Sequence, residues 1–166
     1  MIAKLNTVGY QSRPDIVFET KLARRRLTID DAQRKMRKIK LFSSKIRYPK
    51  LGKLKELVLI GHGEAGVKSH PDKTRSVGGH VTMLCNTKTY ATCVLNWKSK
   101  KIRGVVNSSL AGEALATTDT IGELVYQKAV LKFIFGDELS DIPVIVVTDS
   151  QNLYMAVQGS SLVEDA

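Results

Sequence analysis

Three acids in this 166-residue chain, Glu64, Glu113 and Asp149, stand in settings where carboxylates do chemistry. Glu64 follows the apolar run Leu57–Ile60 and Asp149 follows Val144–Val147, so two strand-like runs each lead to an acid. If those strands are parallel neighbours, both acids leave the sheet at the same end. Glu113 falls early in a helical stretch that can pack on the sheet and supply a third. Three carboxylates close together repel one another and are costly to keep ionised unless a dication sits among them. Hard oxygen ligands with open coordination suit Mg²⁺ or Mn²⁺ rather than zinc. Two such ions about 4 Å apart can activate a water and stabilise the leaving oxygen of a phosphodiester. Taken singly, each acid reads as an ordinary surface or capping residue, and the combination carries the expectation.

Just before Glu113 runs a basic strip, Trp97-Lys98-Ser99-Lys100-Lys101-Ile102-Arg103. Lys98, Lys100, Lys101 and Arg103 are spaced to meet a phosphate backbone, and Trp97 could stack on a base or sugar. The plainer alternative for Trp97 is a half-buried residue at a strand end. Gly61-His62-Gly63-Glu64-Ala65-Gly66 matches the G-x-G-x-x-G string of dinucleotide-binding turns. That chemistry needs a helix next, and the following VKSHPDKTRSVGG, with Pro71, Gly78 and Gly79, is not one. No acid lies about 20 positions on to take a ribose hydroxyl. His62, His70 and His80 have no zinc spacing and are expected as loop or strand residues. Cys85 and Cys93 show no ligand spacing and are expected as reduced thiols.

The elements that would position these residues follow from pattern. Val77–Leu84 and Ala91–Trp97 read as an antiparallel hairpin turning at Asn86–Thr89. A helix begins at Ser108 or Ser109, either able to cap, and runs to Phe135, where Gly136 stops it. Leu110, Ala114, Thr117, Ile121, Leu124, Lys128 and Leu131 trace its expected period. Pro143 precedes Val144–Val147, a β-branched run expected as a central strand buried on both faces. A further helix starts at Gln151. The class is α/β: three antiparallel strands, a helix, a strand parallel to the first and a last helix. In front of them, residues 1–50 read as helical. Pro14 sits at a first helical position, and Asp30 or Asp31 caps DAQRKMRKIKLF. Pro49-Lys50-Leu51-Gly52 marks the boundary, giving a helical lead-in at 1–52 and a second domain at 53–166.

Charge divides the same way. Lys21–Glu56 holds fourteen Lys/Arg and three acids, whereas from Gly104 onward there are two Lys/Arg and nine Asp/Glu. A basic front half fits a polyanion partner, or simply a solvated helix face. A hydrophobic fraction of 43% excludes wholesale disorder. No run approaches the roughly 18 residues of a membrane helix and no secretory leader is evident, so an unanchored intracellular protein, cytoplasmic or nuclear, is expected.

Strings spread along the chain carry a resemblance: Gln11-Ser12-Arg13-Pro14-Asp15-Ile16, Tyr48-Pro49-Lys50-Leu51-Gly52, Trp97-Lys98-Ser99-Lys100-Lys101, Ser108-Ser109-Leu110-Ala111 leading to Glu113, and Thr148-Asp149-Ser150-Gln151. In this order they resemble the ribonuclease H region of copia-type LTR-retrotransposon Pol polyproteins. The resemblance implies that 1–52 is the tail of a reverse transcriptase with its connection. It implies that 53–166 is a ribonuclease H-like mixed sheet, truncated at its C-terminus. The implied activity is two-metal cleavage of the RNA strand of RNA–DNA hybrids. The partners would be the hybrid and the rest of the polyprotein, and the cofactor Mg²⁺ or Mn²⁺. Glu113 and Asp149 fall on the family's second and third metal-binding acids. At the first, Glu64 stands where the family has aspartate in a Ser-Asp-Ala setting, and one extra methylene displaces a carboxylate by over 1 Å. The fourth acid lies beyond a point this chain reaches, and Asp165 resembles the residue just before that segment. Two matched acids, one altered and one missing are the pattern of a truncated or decayed copy, or of a fragment. The alternative expectation is therefore an inactive relic that at most binds nucleic acid. An integrase-type domain acting on DNA fits the order of the strings less well.

Overall fold

The structure, a computed structural model, describes residues 46–66, 76–103 and 106–159, and besides them only Gln33 and Arg37. Of the helices expected within 1–45, only Gln33 and Arg37 are described, both helical and exposed; the caps at Pro14 and Asp30 or Asp31 lie outside the described residues, as does His70. The described part is α/β. Strands β1 (Leu57–Gly66), β2 (Val77–Asn86) and β3 (Thr92–Lys101) are followed by helix α1 (Ser109–Phe135), strand β4 (Val144–Val147) and helix α2 (Gln151–Gly159). One four-stranded sheet has the order β3-β2-β1-β4. β1 pairs antiparallel with β2 and β2 with β3, while β1 and β4 are parallel. Among the described residues, no helix is long and apolar enough to cross a membrane.

α1 begins and ends for local reasons. Ser108 is extended, and its hydroxyl accepts the Ala111 N–H at 3.1 Å, so one of the unpaired amides of the first turn is satisfied. Gly136 takes φ +67°, which its missing Cβ permits, and its N–H returns to the Lys132 carbonyl. The buried row of α1 differs from the expected period. Gly112, Glu113, Ala116, Thr120, Leu124, Gln127 and Leu131 face the sheet, whereas Leu110 and Ile121 are exposed. Apolar residues surround this helix, so periodicity alone does not select a face; packing against β1 and β2 does.

Three strands differ from expectation. β1 is not confined to Leu57–Ile60 but continues through Gly66, so Glu64 lies on the strand rather than after it. Its glycines make this possible, because the helix passes too close for side chains at those positions. A Cβ added to Gly61 would lie 2.7 Å from both Leu124 Cδ1 and Thr120 Cγ2, and one on Gly63 would lie 3.1 Å from the Ala116 carbonyl oxygen. β4, expected at the centre of a sheet and covered on both faces, is instead the edge strand of the described sheet. Val144 and Ile145 are 40% and 46% exposed. β3 also runs further than expected, carrying Lys98, Lys100 and Lys101 into the sheet.

The core sits between α1 and the sheet: Leu57, Leu59 and Leu84 meet Leu124 and Leu131, closed off by Leu139 and Ile142. Leu51 and Leu54 pack against it from the N-terminal side. Asn86 ties that approach to the β2–β3 turn. Its Nδ2 donates to the Leu51 carbonyl (2.7 Å) and to Glu56 Oε2 (3.1 Å), while its Oδ1 accepts the Lys88 and Thr89 N–H groups at 2.7 and 2.8 Å. The side chain is buried, so removing it strands several polar groups. Asn86→Ala is expected to lower the unfolding free energy by about 2–4 kcal/mol, read as a fall of the urea midpoint with an unchanged slope.

Candidate active site

β1 and β4 run parallel with His62 level with Val147. Two residues beyond that register, Glu64 within β1 and Asp149 just past the end of β4 lie at the same end of the parallel pair. Strand alternation turns Gly61 and Gly63 toward α1, and leaves His62 and Glu64 exposed on the opposite face. There Glu64 and Asp149 line one open cavity of about 470 Å³, together with His62, Val81, Lys98 and Ser99.

Glu113 reaches the same strand end from the helix. It is buried in the second turn of α1, and both its carboxylate oxygens lie 3.3 Å from the Ala65 N–H, which they accept. Ala65 is the residue after Glu64, so the backbone of β1 separates the two acids. The Glu113 carboxyl is held above its ordinary range, chiefly by burial. The Ala65 N–H pulls it back, and the negative charges of Asp149 and Glu64 raise it again. Glu113 thus feels the charge of both other acids. They are not a finished ligand set: among the described residues, no three His, Cys, Asp or Glu side chains stand close enough to hold a metal ion between them. Their chemistry nevertheless suits a hard dication, since the charges that raise Glu113 are charges a cation would offset.

The raised carboxyl has a consequence for stability. Folded Glu113 keeps its proton over a range where the unfolded chain has released it. The resulting stabilisation is complete below the unfolded value of about 4.5 and is lost as the pH rises through the folded value. Glu113→Gln keeps an acceptor for Ala65 and removes the charge. Thermal melts from pH 4 to 8 are expected to show the variant melting above the parent at neutral pH, with the gap closing in acid.

The basic strip divides between the two faces of β3. Its register sets Trp97 against Val81, Ser99 against Gly79 and Lys101 against Val77, on the cavity side. Lys98 and Lys100 alternate onto the helix side, where Lys100 forms an ion pair with Asp119 at 2.5 Å. Lys98 also borders the cavity, Trp97 is half-buried, and Arg103 is exposed just past the strand. The lysines are therefore not one continuous track, because a strand turns alternate side chains to opposite faces.

His62 and Ser99 line the cavity and were not anticipated. Their signal was the period of two, counted back from Glu64 and forward from Trp97. His80 lies on β2 beside Lys98, buried, with no partner for its Nε2 among the described residues. Burial outweighs the nearby Glu123 and Asp119 and keeps its pKa below the usual histidine range. Cys85 and Cys93 are free thiols on β2 and at the start of β3. In comparisons with known families and with curated proteins, the chain matches no family model and no curated sequence.

Proposed function

We propose that this chain is a ribonuclease H-like nuclease domain, cutting the RNA strand of RNA–DNA hybrids with divalent cations. The observation that carries the reading is the delivery of Glu64 and Asp149 to one cavity by parallel neighbouring strands, with Glu113 buried against the next backbone amide. The strand order and the helix between β3 and β4 agree with the fold that the sequence resemblance implies.

Glu64, Glu113 and Asp149 would hold Mg²⁺ or Mn²⁺. When bound, such ions supply Lewis acidity and offset charge on the phosphodiester. Glu64 and Asp149 lie on the open side of the sheet, within reach of a backbone laid across it. Glu113, fixed by Ala65, anchors the third side. Lys98 at the cavity rim and Lys101 and Arg103 beyond it would meet phosphates, and Ser99 a sugar hydroxyl. A hybrid suits this surface because shape and 2′-hydroxyls, rather than base edges, are what it can read.

A second reading is a hybrid-binding module without cleavage. It is favoured by the engagement of both Glu113 oxygens with Ala65, and by Glu64 standing where the resembling family has the shorter acid. One assay separates them. The purified chain is incubated with an end-labelled hybrid, a matched RNA duplex and Mn²⁺ or Mg²⁺. Metal-dependent cleavage confined to the RNA of the hybrid supports the nuclease. Salt-sensitive binding without cleavage leaves the module, and neither result leaves nothing of the proposal.

A further inference from the structure

At the end of the sheet away from Glu64, four cations and two tyrosines gather around the β2–β3 turn. The chain before β1 is tied to that turn by its backbone. The Leu51 carbonyl accepts from Asn86 Nδ2, the Glu56 carbonyl accepts the Thr87 N–H at 2.9 Å, and the Pro49 carbonyl lies 3.6 Å from Cys93 Sγ. Arg47, Lys50 and Lys53 on this segment and Lys88 in the turn are exposed, and among the described residues none of them forms an ion pair. The turn has no acid, and Glu56, the acid of the segment, is partly buried and accepts from Asn86. Asp137 and Glu138, on the short turn that packs against Leu54–Glu56, close the surface on that side. Tyr48 and Tyr90 are 67% and 84% exposed. Tyr90 also takes φ +58°, a left-handed conformation that glycine adopts freely and that costs a bulky residue energy. Its ring is too exposed for packing to offset that cost.

We infer that this end of the sheet binds single-stranded nucleic acid, RNA or DNA, with the cations on phosphates and the two rings stacked on unpaired bases. Charge selects a polyanion, and the rings select among polyanions. A duplex keeps its base faces stacked on one another, so exposed rings of this kind suit a single strand. An anionic membrane would need aliphatic anchors, and Leu51 and Leu54 are instead packed against the core. An acidic peptide would meet the charges and leave the ring faces unused. The surface is also distinct from the cavity. Leu57, level with Asn86, precedes Glu64 by seven residues of β1, which sets the two ends roughly 20 Å apart. The inference therefore holds whether or not the chain cleaves hybrids.

Ultraviolet cross-linking of the 166-residue chain to short single strands carrying iodouracil, in RNA and DNA forms, tests this. Mass spectrometry is expected to find the cross-links on Tyr48 and Tyr90. Tyr90→Gly relieves the left-handed backbone, so its melting temperature should hold or rise, while its affinity for the strand by fluorescence anisotropy should fall at least about fivefold. Tyr48→Ala, at another exposed position, is the independent second variant and should also weaken binding. Replacing both Lys50 and Lys88 with glutamine should flatten the slope of log affinity against log salt by about 1.4, at about 0.7 per phosphate contact. Cross-links confined to Trp97 overturn the proposal and leave the cavity as the nucleic-acid surface. Unchanged affinity in both tyrosine variants, or tighter binding to phosphatidylserine vesicles than to either strand, overturns it as well.

Discussion

Replacing Glu113 with glutamine is expected to abolish metal-dependent cleavage of an RNA–DNA hybrid while raising the melting temperature at neutral pH. The two effects have one origin. Glu113 is buried against β1, where burial and the charges of Asp149 and Glu64 all oppose its ionisation. The folded protein therefore gains when the charge is removed, whereas a site that must hold a dication loses. Metal ions contribute several kcal/mol to such chemistry, and each 1.4 kcal/mol is a factor of ten, so the loss should reach at least about 10²–10³-fold. Asp149→Asn is expected to lose as much activity. Glu64→Asp retains the charge, withdraws it by one methylene and should keep or raise the rate. Opposite signs for activity and stability distinguish a functional carboxylate from a structural one, because a substitution that merely damaged the fold would lower both. Cleavage by Glu113→Gln at the parent rate would remove Glu113 from the mechanism. An inactive parent chain that still binds hybrid would leave the non-cleaving module.

The sequence showed which residues could matter more clearly than how they are arranged. The caps of α1 were legible because a serine acceptor and a stop glycine act within one turn of themselves. The parallel relation of β1 and β4 followed from two apolar runs separated by a long helix. Which face of α1 turns inward was not legible, because apolar residues surround the helix and its buried row includes Glu113, Thr120 and Gln127. Gln127 is drawn in by a partner on another element, donating to Thr82 Oγ1 at 2.7 Å across 45 residues of chain. No local pattern encodes such a pair. β4 looked central because four β-branched residues fit a strand buried on both faces equally well at an edge. The same ambiguity touches the site: acids Glu64 and Asp149 were assigned to one sheet end from their runs, but Glu64 lies within its strand. Only the pairing register shows which face it takes.

Gly63→Ala is expected to be the most damaging small substitution in the described sheet, lowering stability by about 2–4 kcal/mol. The new methyl would collide with Thr120 Oγ1 and lie 3.1 Å from the Ala116 carbonyl oxygen. Those two atoms are already joined, since Thr120 Oγ1 donates to that carbonyl at 2.7 Å, so neither can retreat without breaking the bond or moving the helix. Gly61→Ala makes the useful contrast. The nearest atoms its methyl meets are side-chain carbons of Thr120 and Leu124, which can turn aside, so the penalty should be smaller and Thr120→Ser should relieve part of it. At Gly63, Thr120→Ala removes one obstacle but leaves the carbonyl, and less than half of the stability should return. Gly63 directly precedes Glu64 and lies two residues before Ala65, whose N–H meets Glu113. Pushing α1 outward by a few tenths of an ångström would draw Glu113 off that amide, so activity should fall further than the loss of folded protein explains. Chemical denaturation and hybrid cleavage on the same preparations measure both effects. A Gly63→Ala protein of parental stability would mean that α1 does not approach β1 this closely, and that the glycine of the strand does not set the place of Glu113.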